Sequence, residues 1–319
     1  MRIDLHCHAY PTSYLEAMKR GGIRDWDNVR GAPIPVWRTN EDRLADMDAL
    51  GVDVDVLSLS SPGVEHASDQ DLANTLSQLV NDFFADLHRE YPTRFYGFAT
   101  LPMVNVDLAI EELARAVRLP GIVGVTLPTT VYGKPLDAQE FWPFFEEVNR
   151  QGLPVLVHPK FPNTWMDNIR EFRIYTILPY AVETSIAACR IVFSGLMDRF
   201  PNINWILCHL GGVIPYVYNR ADWVARQFPE DTAVNISQPP SEYFKRFYYD
   251  TALNYQRGTV QCAIDLVGDD HIVFGTDIPW PKGEPARTVA SLDAMELPAE
   301  TREKILWRNA KKLLKIDLH

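Results

Sequence analysis

The chain has 319 residues, 46% of them hydrophobic and 23% charged, with a formal net charge of -11 at pH 7. That length suits a single α/β barrel as well as two smaller domains, and the composition is that of a globular enzyme. The acidic balance argues against nucleic acid as a partner, because phosphate binding leans on basic patches, and no apolar run is long enough to span a bilayer.

The first apolar segment, residues 2–8, ends in His6-Cys7-His8. Side chains alternate along a strand, so the two imidazoles share a face and Cys7 takes the other. Two imidazoles at a strand end can bite one metal ion. Residues 10–39 follow, rich in Gly, Pro and Trp. This stretch is too long for a simple βα loop and reads as an insertion over a barrel mouth, serving as lid or substrate wall. An amphipathic stretch, Glu41–Leu50, precedes a strand over 52–59, and Asp69–Tyr91 precedes one over 94–101. Asp107–Val117, opened by Asn105 or Asp107, leads to a strand over 121–127. Ala138–Gln151 leads to 153–158, a run that finishes on His158. Glu183–Phe200 leads to 203–209, which finishes on His209. The last strands lie over 246–251 and 271–277, the second finishing on Asp277, with helices over Gln256–Val267 and Ala299–Leu314. Gly51, Gly152 and Gly268 fall where helices should stop.

Eight strands alternating with helices predict an α/β fold, a (β/α)8 TIM barrel with an N-terminal insertion over its mouth. Several runs are continuously apolar, as expected where both faces of a parallel sheet are covered. A doubly wound sheet would want a Gly-rich turn after strand one, and none is present. With no Ser/Gly-rich linker, low-complexity tract or repeat, residues 1–319 read as one domain. Cys7, Cys189, Cys208 and Cys262 form no CxxC pair, which favours free thiols in a reducing compartment. The absence of a signal-peptide pattern before Ile3 agrees with a cytoplasmic protein.

A barrel places its chemistry at the C-terminal ends of its strands, where His6, His8, His158, His209 and Asp277 all fall. Singly, each has a plain structural explanation: His158 as a satisfied core histidine, His209 as support for the turn at Gly211-Gly212, Asp277 as a loop cap. Five together at strand ends are much harder to assign to accident. A borderline-soft divalent ion takes imidazole nitrogen and carboxylate oxygen and keeps a position open. His6, His8, His158 and Asp277 supply that set, leaving His209 as an acid/base beside it. The fourth strand ends without Lys or Glu to bridge a second ion, which favours one metal. Phe161, Trp165 and Trp280, near strand ends, are candidate walls for an aromatic substrate, although packing alone also accounts for them.

These residues resemble the metal-dependent amidohydrolase superfamily, and within it the aminocarboxymuconate-semialdehyde decarboxylase-like enzymes. The likeness runs over nearly the whole chain. It is carried by Ile3-Asp4-Leu5-His6-Cys7-His8, Leu156-Val157-His158-Pro159, the stretch from Glu183-Thr184-Ser185 to Arg220, and Gly275-Thr276-Asp277-Ile278-Pro279-Trp280-Pro281. The resemblance implies a dimeric barrel with a single zinc or similar divalent ion, manganese being the other candidate, on His6, His8, His158 and Asp277. It implies that His209 is an acid/base and that Arg220 meets a substrate carboxylate, in its own subunit or a neighbour's. The family's second arginine has no secure counterpart; Arg24, Arg30 and Arg38 are the candidates. The activity implied is non-oxidative decarboxylation of a small aromatic or unsaturated acid, such as a hydroxybenzoate or aminocarboxymuconate semialdehyde. Asp277 or His209 could deliver a proton to the carbon before C–C cleavage; the alternative is attack by metal-bound hydroxide. Hydrolysis of a lactone or amide, water addition to a double bond, and a non-catalytic barrel remain the other readings at this point.

Overall fold

The computed structural model describes residues 1–23, 34, 36–160, 171–254, 256–280 and 284–318. Its main sheet has eight parallel strands in sequence order. We number them β1 (Ile3–His8), β2 (Val54–Ser58), β3 (Phe95–Ala99), β4 (Ile122–Pro128), β5 (Pro154–His158), β6 (Asn204–Leu207), β7 (Tyr248–Asp250) and β8 (Ile272–Val273). Each predicted strand is present; β4 is shifted by one residue and the others are shorter than the apolar runs that announced them.

The barrel closes where β8 runs past β1. Leu5 N donates to Phe274 O at 3.0 Å, Asp277 N to His6 O at 2.8 Å and His8 N to Ile278 O at 2.7 Å. Gly275 allows this approach, since a Cβ there would lie 2.7 Å from the Cβ of His6.

The interior has two levels. Ile3, Leu5, Val54, Val56, Tyr96, Phe98, Leu156, Ile206 and Val273 fill the lower barrel and pack against Leu313, Leu314 and Ile316 near the C-terminus. The C-terminal segment therefore plugs the barrel floor. Above that layer stand the histidines. Simple alternation would set Leu5 and His6 on opposite faces, but the β1–β2 register slips between Asp4 and Cys7, as in a β-bulge. Leu5 can then join the apolar floor while His6 and His8 both face the mouth; Cys7 packs in the outer layer.

The helices follow the sequence pattern with informative exceptions. Asn105, rather than Asp107, caps its helix, accepting from Asp107 N at 3.0 Å and Leu108 N at 3.2 Å. The stretch predicted over Glu183–Phe200 is two helices, Pro179–Phe193 and Leu196–Arg199. They break at Gly195, which has φ +78 and would set a Cβ 2.3 Å from Asn235 O. The final helix changes to a π-helical turn over Lys304–Arg308. Thr12–Arg20, inside the predicted insertion, is a helix that buries Tyr14 and Met18, and Ile214–Gln227 and Glu284–Ala294 are further helices outside the periodic stretches. Among the described residues no helix is long and apolar enough to cross a membrane. All four cysteines are free thiols.

Candidate active site

The strand ends bring the predicted residues together. Ring centroids of His6 lie 5.0 Å from those of both His8 and His158, and 4.9 Å from that of His209. One ligand atom each from His6, His8, His158 and Asp277 fall within 4.8 Å of one another, all on buried side chains. Asp277 Oδ1 lies 3.3 Å from His6 Nε2 and 3.0 Å from His8 Nε2, while its Oδ2 lies 3.5 Å from His209 Nε2.

The surrounding hydrogen bonds aim these nitrogens. His6 Nδ1 donates to Asp250 Oδ2 at 2.8 Å. His8 Nδ1 meets Ser58 Oγ at 2.8 Å, and that hydroxyl's own proton goes to Cys7 O at 3.1 Å. Each Nδ1 thus carries a hydrogen, which leaves the Nε2 lone pairs of His6 and His8 facing a carboxylate oxygen. Lone pairs and a carboxylate facing each other need a cation between them. His158 Nε2 is buried without a hydrogen-bond partner, which a bound ion would provide. The donor set and its geometry fit one divalent metal.

Charge follows the same logic. Burial would raise the Asp277 carboxyl, but the imidazoles of His209, His6 and His8 around it outweigh that and hold it well below the usual range. Burial lowers His158, and the charges of His8 and His6 lower it further, so that ring stays neutral. Burial also disfavours charge on His6, yet Asp250 overcomes it and holds the imidazole well above its ordinary value.

Both candidate acid/base residues sit on left-handed backbone, as does Leu210 beside His209. His209 and Asp277 have φ of 56 and 64 in the left-handed region, which side chains rarely adopt. Asp250 Oδ1 secures the first by accepting from His209 N at 3.0 Å. Asp250 is therefore an orienting residue that the sequence reading passed over. The signal was present, since it too closes an apolar run, Phe247-Tyr248-Tyr249-Asp250.

Other thiol and carboxylate groups nearby do not make a second metal site. Cys208 is pushed up to about 12 by burial, so it stays a thiol. Asp4, Cys7 and Asp55 cluster behind β1, where Arg43 already supplies the cation, 2.6 Å from Asp55 Oδ2.

The candidate substrate residues disperse. Trp280 is half-buried beside the mouth, its indole N–H donating to Tyr10 Oη at 3.2 Å. Arg220 is exposed on the helix Ile214–Gln227. Phe161 and Trp165, like Arg24 and Arg30, lie outside the described residues. Arg38 is exposed and pairs with Asp46 at 3.2 Å.

A buried three-imidazole, one-carboxylate cluster on the C-terminal rim of a (β/α)8 barrel defines a metal-dependent barrel enzyme. The chain belongs to the amidohydrolase family, whose model matches residues 3–316, and within it to the aminocarboxymuconate-semialdehyde decarboxylase-like carboxy-lyases. It is 31% identical to gamma-resorcylate decarboxylase of Polaromonas sp. strain JS666 over 304 residues, covering 92% of each chain. It is 27% identical to 2-amino-3-carboxymuconate-6-semialdehyde decarboxylase of Dictyostelium discoideum, over 99% of this chain and 92% of that one. A crystal structure of dihydroxybenzoic acid decarboxylase from Polaromonas sp. JS666, with bound manganese and the inhibitor 2-nitroresorcinol, superposes with a TM-score of 0.82. The two share 30% identity over 98% of this chain and 96% of that one.

Proposed function

We propose that His6, His8, His158 and Asp277 hold one divalent ion, and that the enzyme removes CO2 from a small hydroxylated aromatic or unsaturated acid at this site. The observation that carries the reading is the facing of unpartnered imidazole nitrogens and a carboxylate in a buried cluster, in a chain whose relatives are decarboxylases. The imidazole-rich donor set suits zinc, and the manganese of the Polaromonas structure makes that ion the alternative. When bound, such an ion acts as a Lewis acid that holds the acid's oxygens and stabilises charge.

The chain's own residues supply the proton. His209 Nε2 and Asp277 Oδ2, 3.5 Å apart, form a pair that can hold one proton at the rim. That proton adds to the carbon bearing the carboxylate; the C–C bond then breaks, its electrons return to the unsaturated system, and CO2 leaves. Asp250 keeps His6 and the His209 backbone in place through this step. Trp280, braced by the buried Tyr10, would wall the substrate, and residues 10–39 serve as a substrate wall or lid in this reading.

The enzyme works as a homodimer in this reading. Val213, Tyr216, Arg220 and Trp223 recur at helical spacing, and Val182 and Ile186 are exposed on the adjacent helix, joined by Val213 N donating to Ser185 Oγ at 2.9 Å. A second copy covering this stripe would bring Arg220 to an interface and toward a substrate carboxylate. Free thiols accord with a reducing cytoplasm.

The test is CO2 release from a panel of hydroxybenzoates and a muconate-type acid by the metal-replete protein. Release from at least one supports decarboxylation; no CO2 from any, with turnover of lactones or amides, replaces it with hydrolysis. Trp223→Asp should yield monomers by light scattering, and a monomeric wild type would remove the dimer.

A further inference from the structure

Beside the ligand cluster, a cavity of about 30 Å³ reaches His158 from the ends of β2, β3, β4 and β5. Ser60, Glu65, Thr100, Thr126 and Lys160 share its lining with that imidazole. Lys160 is only 8% exposed. No hydrogen bond or ion pair joins its ammonium to any described residue, although Glu183 feels its charge. Ser60 is 4% exposed, and its hydroxyl likewise has no partner. Burying a hydroxyl without a partner is costly, and the ammonium beside it sits on a nearly buried side chain with no counter-charge in contact. Two such groups on one small cavity, next to the unpartnered His158 nitrogen, mark a place where a ligand supplies what the protein lacks.

Size and charge choose the occupant. A water needs roughly 10–15 Å³ of such space, so the cavity admits a small polar group, and charge decides which. Lys160 can only donate, and an ionised Glu65 can only accept. A hydroxyl satisfies both at once, whereas a carboxylate would have to face Glu65.

We propose that Ser60, Glu65 and Lys160 form a subsite for a hydroxyl substituent of the acid substrate, separate from the metal-ligand cluster. This rests on the acid-substrate reading above and assigns the residues that would meet the hydroxyl. Lys160 is a specificity-determining residue here and takes no part in the proton transfer.

Nitro analogues test the subsite without turnover. Nitrobenzene and its ring-hydroxylated derivatives carry a nitro group where the acid has its carboxylate, and their binding to metal-loaded protein can be followed by absorbance. The wild type should bind at least one hydroxylated derivative about tenfold more tightly than nitrobenzene. Lys160→Met should erase that preference while leaving nitrobenzene affinity within about twofold, with metal content and Tm unchanged. Ser60→Ala should reduce the preference in part, and it carries the comparison if Lys160→Met does not fold. The proposal is overturned by a wild type that prefers no hydroxylated ring or prefers a carboxylated one. It is equally overturned if the variants weaken every ring alike or leave the preference intact. Because no probe loses CO2, these outcomes are independent of the decarboxylase reading, which fails separately if no acid releases CO2 while the hydroxyl preference stands.

Discussion

The floor and the rim of this barrel are built on the same eight strands and solve opposite problems. At the floor, Ile3, Leu5, Val54 and Val273 pack with Leu313, Leu314 and Ile316 in a layer of apolar side chains. At the rim, a few residues further along, His6, His158 and His209 bury nitrogens without hydrogen-bond partners, and His209, Leu210 and Asp277 adopt left-handed backbone. Burial stabilises the first region, whereas the second spends some of that stability on holding polar groups where a metal and substrate complete them. Stability and chemistry are thus separated along the strand direction.

The largest effect that would expose this division comes from the rim. His209→Ala should lower kcat by about 10²–10⁴-fold while metal content and Tm remain near wild type. Unchanged turnover would remove His209 from the reaction. Substitution at the floor should do the converse. Leu313→Ala should cost about 2–5 kcal/mol of unfolding free energy by denaturant titration, with kcat per folded molecule unchanged. A loss of metal from the folded variant would show that floor and rim are not separable.

Asp250 sits at the join and should give a smaller, purely rim-type effect. Asp250→Asn is expected to weaken metal affinity about 10–100-fold by competition with a chelator. Its pH behaviour sharpens the point. The folded pKa of His6 is raised, so below it the site holds a proton that an incoming ion must displace. Metal affinity in the wild type should therefore rise with pH through neutrality and level off above the pKa of His6. Asp250→Asn removes the raising carboxylate, so its affinity should level off at a lower pH. Parallel profiles for the two proteins would contradict this role.

Much of the rim was legible because a strand end is a sequence position. An apolar run that ends in a polar residue marks the rim: β1 and β5 stop on His8 and His158, while His209 and Asp277 end their runs just past the strands Asn204–Leu207 and Ile272–Val273. The register slip in β1 was not legible, because the run Ile3-Asp4-Leu5-His6-Cys7-His8 is compatible with unbroken alternation and only pairing with β2 reveals the extra residue. Asp250 ended a recognised run but lay among tyrosines and was taken for strand. Ser60 and Lys160 fall two residues beyond strand ends, where loop conformation decides which side chains are buried. Arg220 was picked out by family likeness, but its place on an exposed apolar stripe depends on how the helix Ile214–Gln227 packs, which periodicity alone did not predict.

The central claim, that the rim is a one-metal decarboxylation site, is tested most directly by returning a divalent ion to metal-stripped protein while measuring CO2 release from 2,6-dihydroxybenzoate and its hydroxylated relatives. The account predicts release that rises with added zinc or manganese and reaches its plateau at about one ion per chain. CO2 release from the stripped protein, or a full complement of metal with no CO2 from any acid, would contradict it.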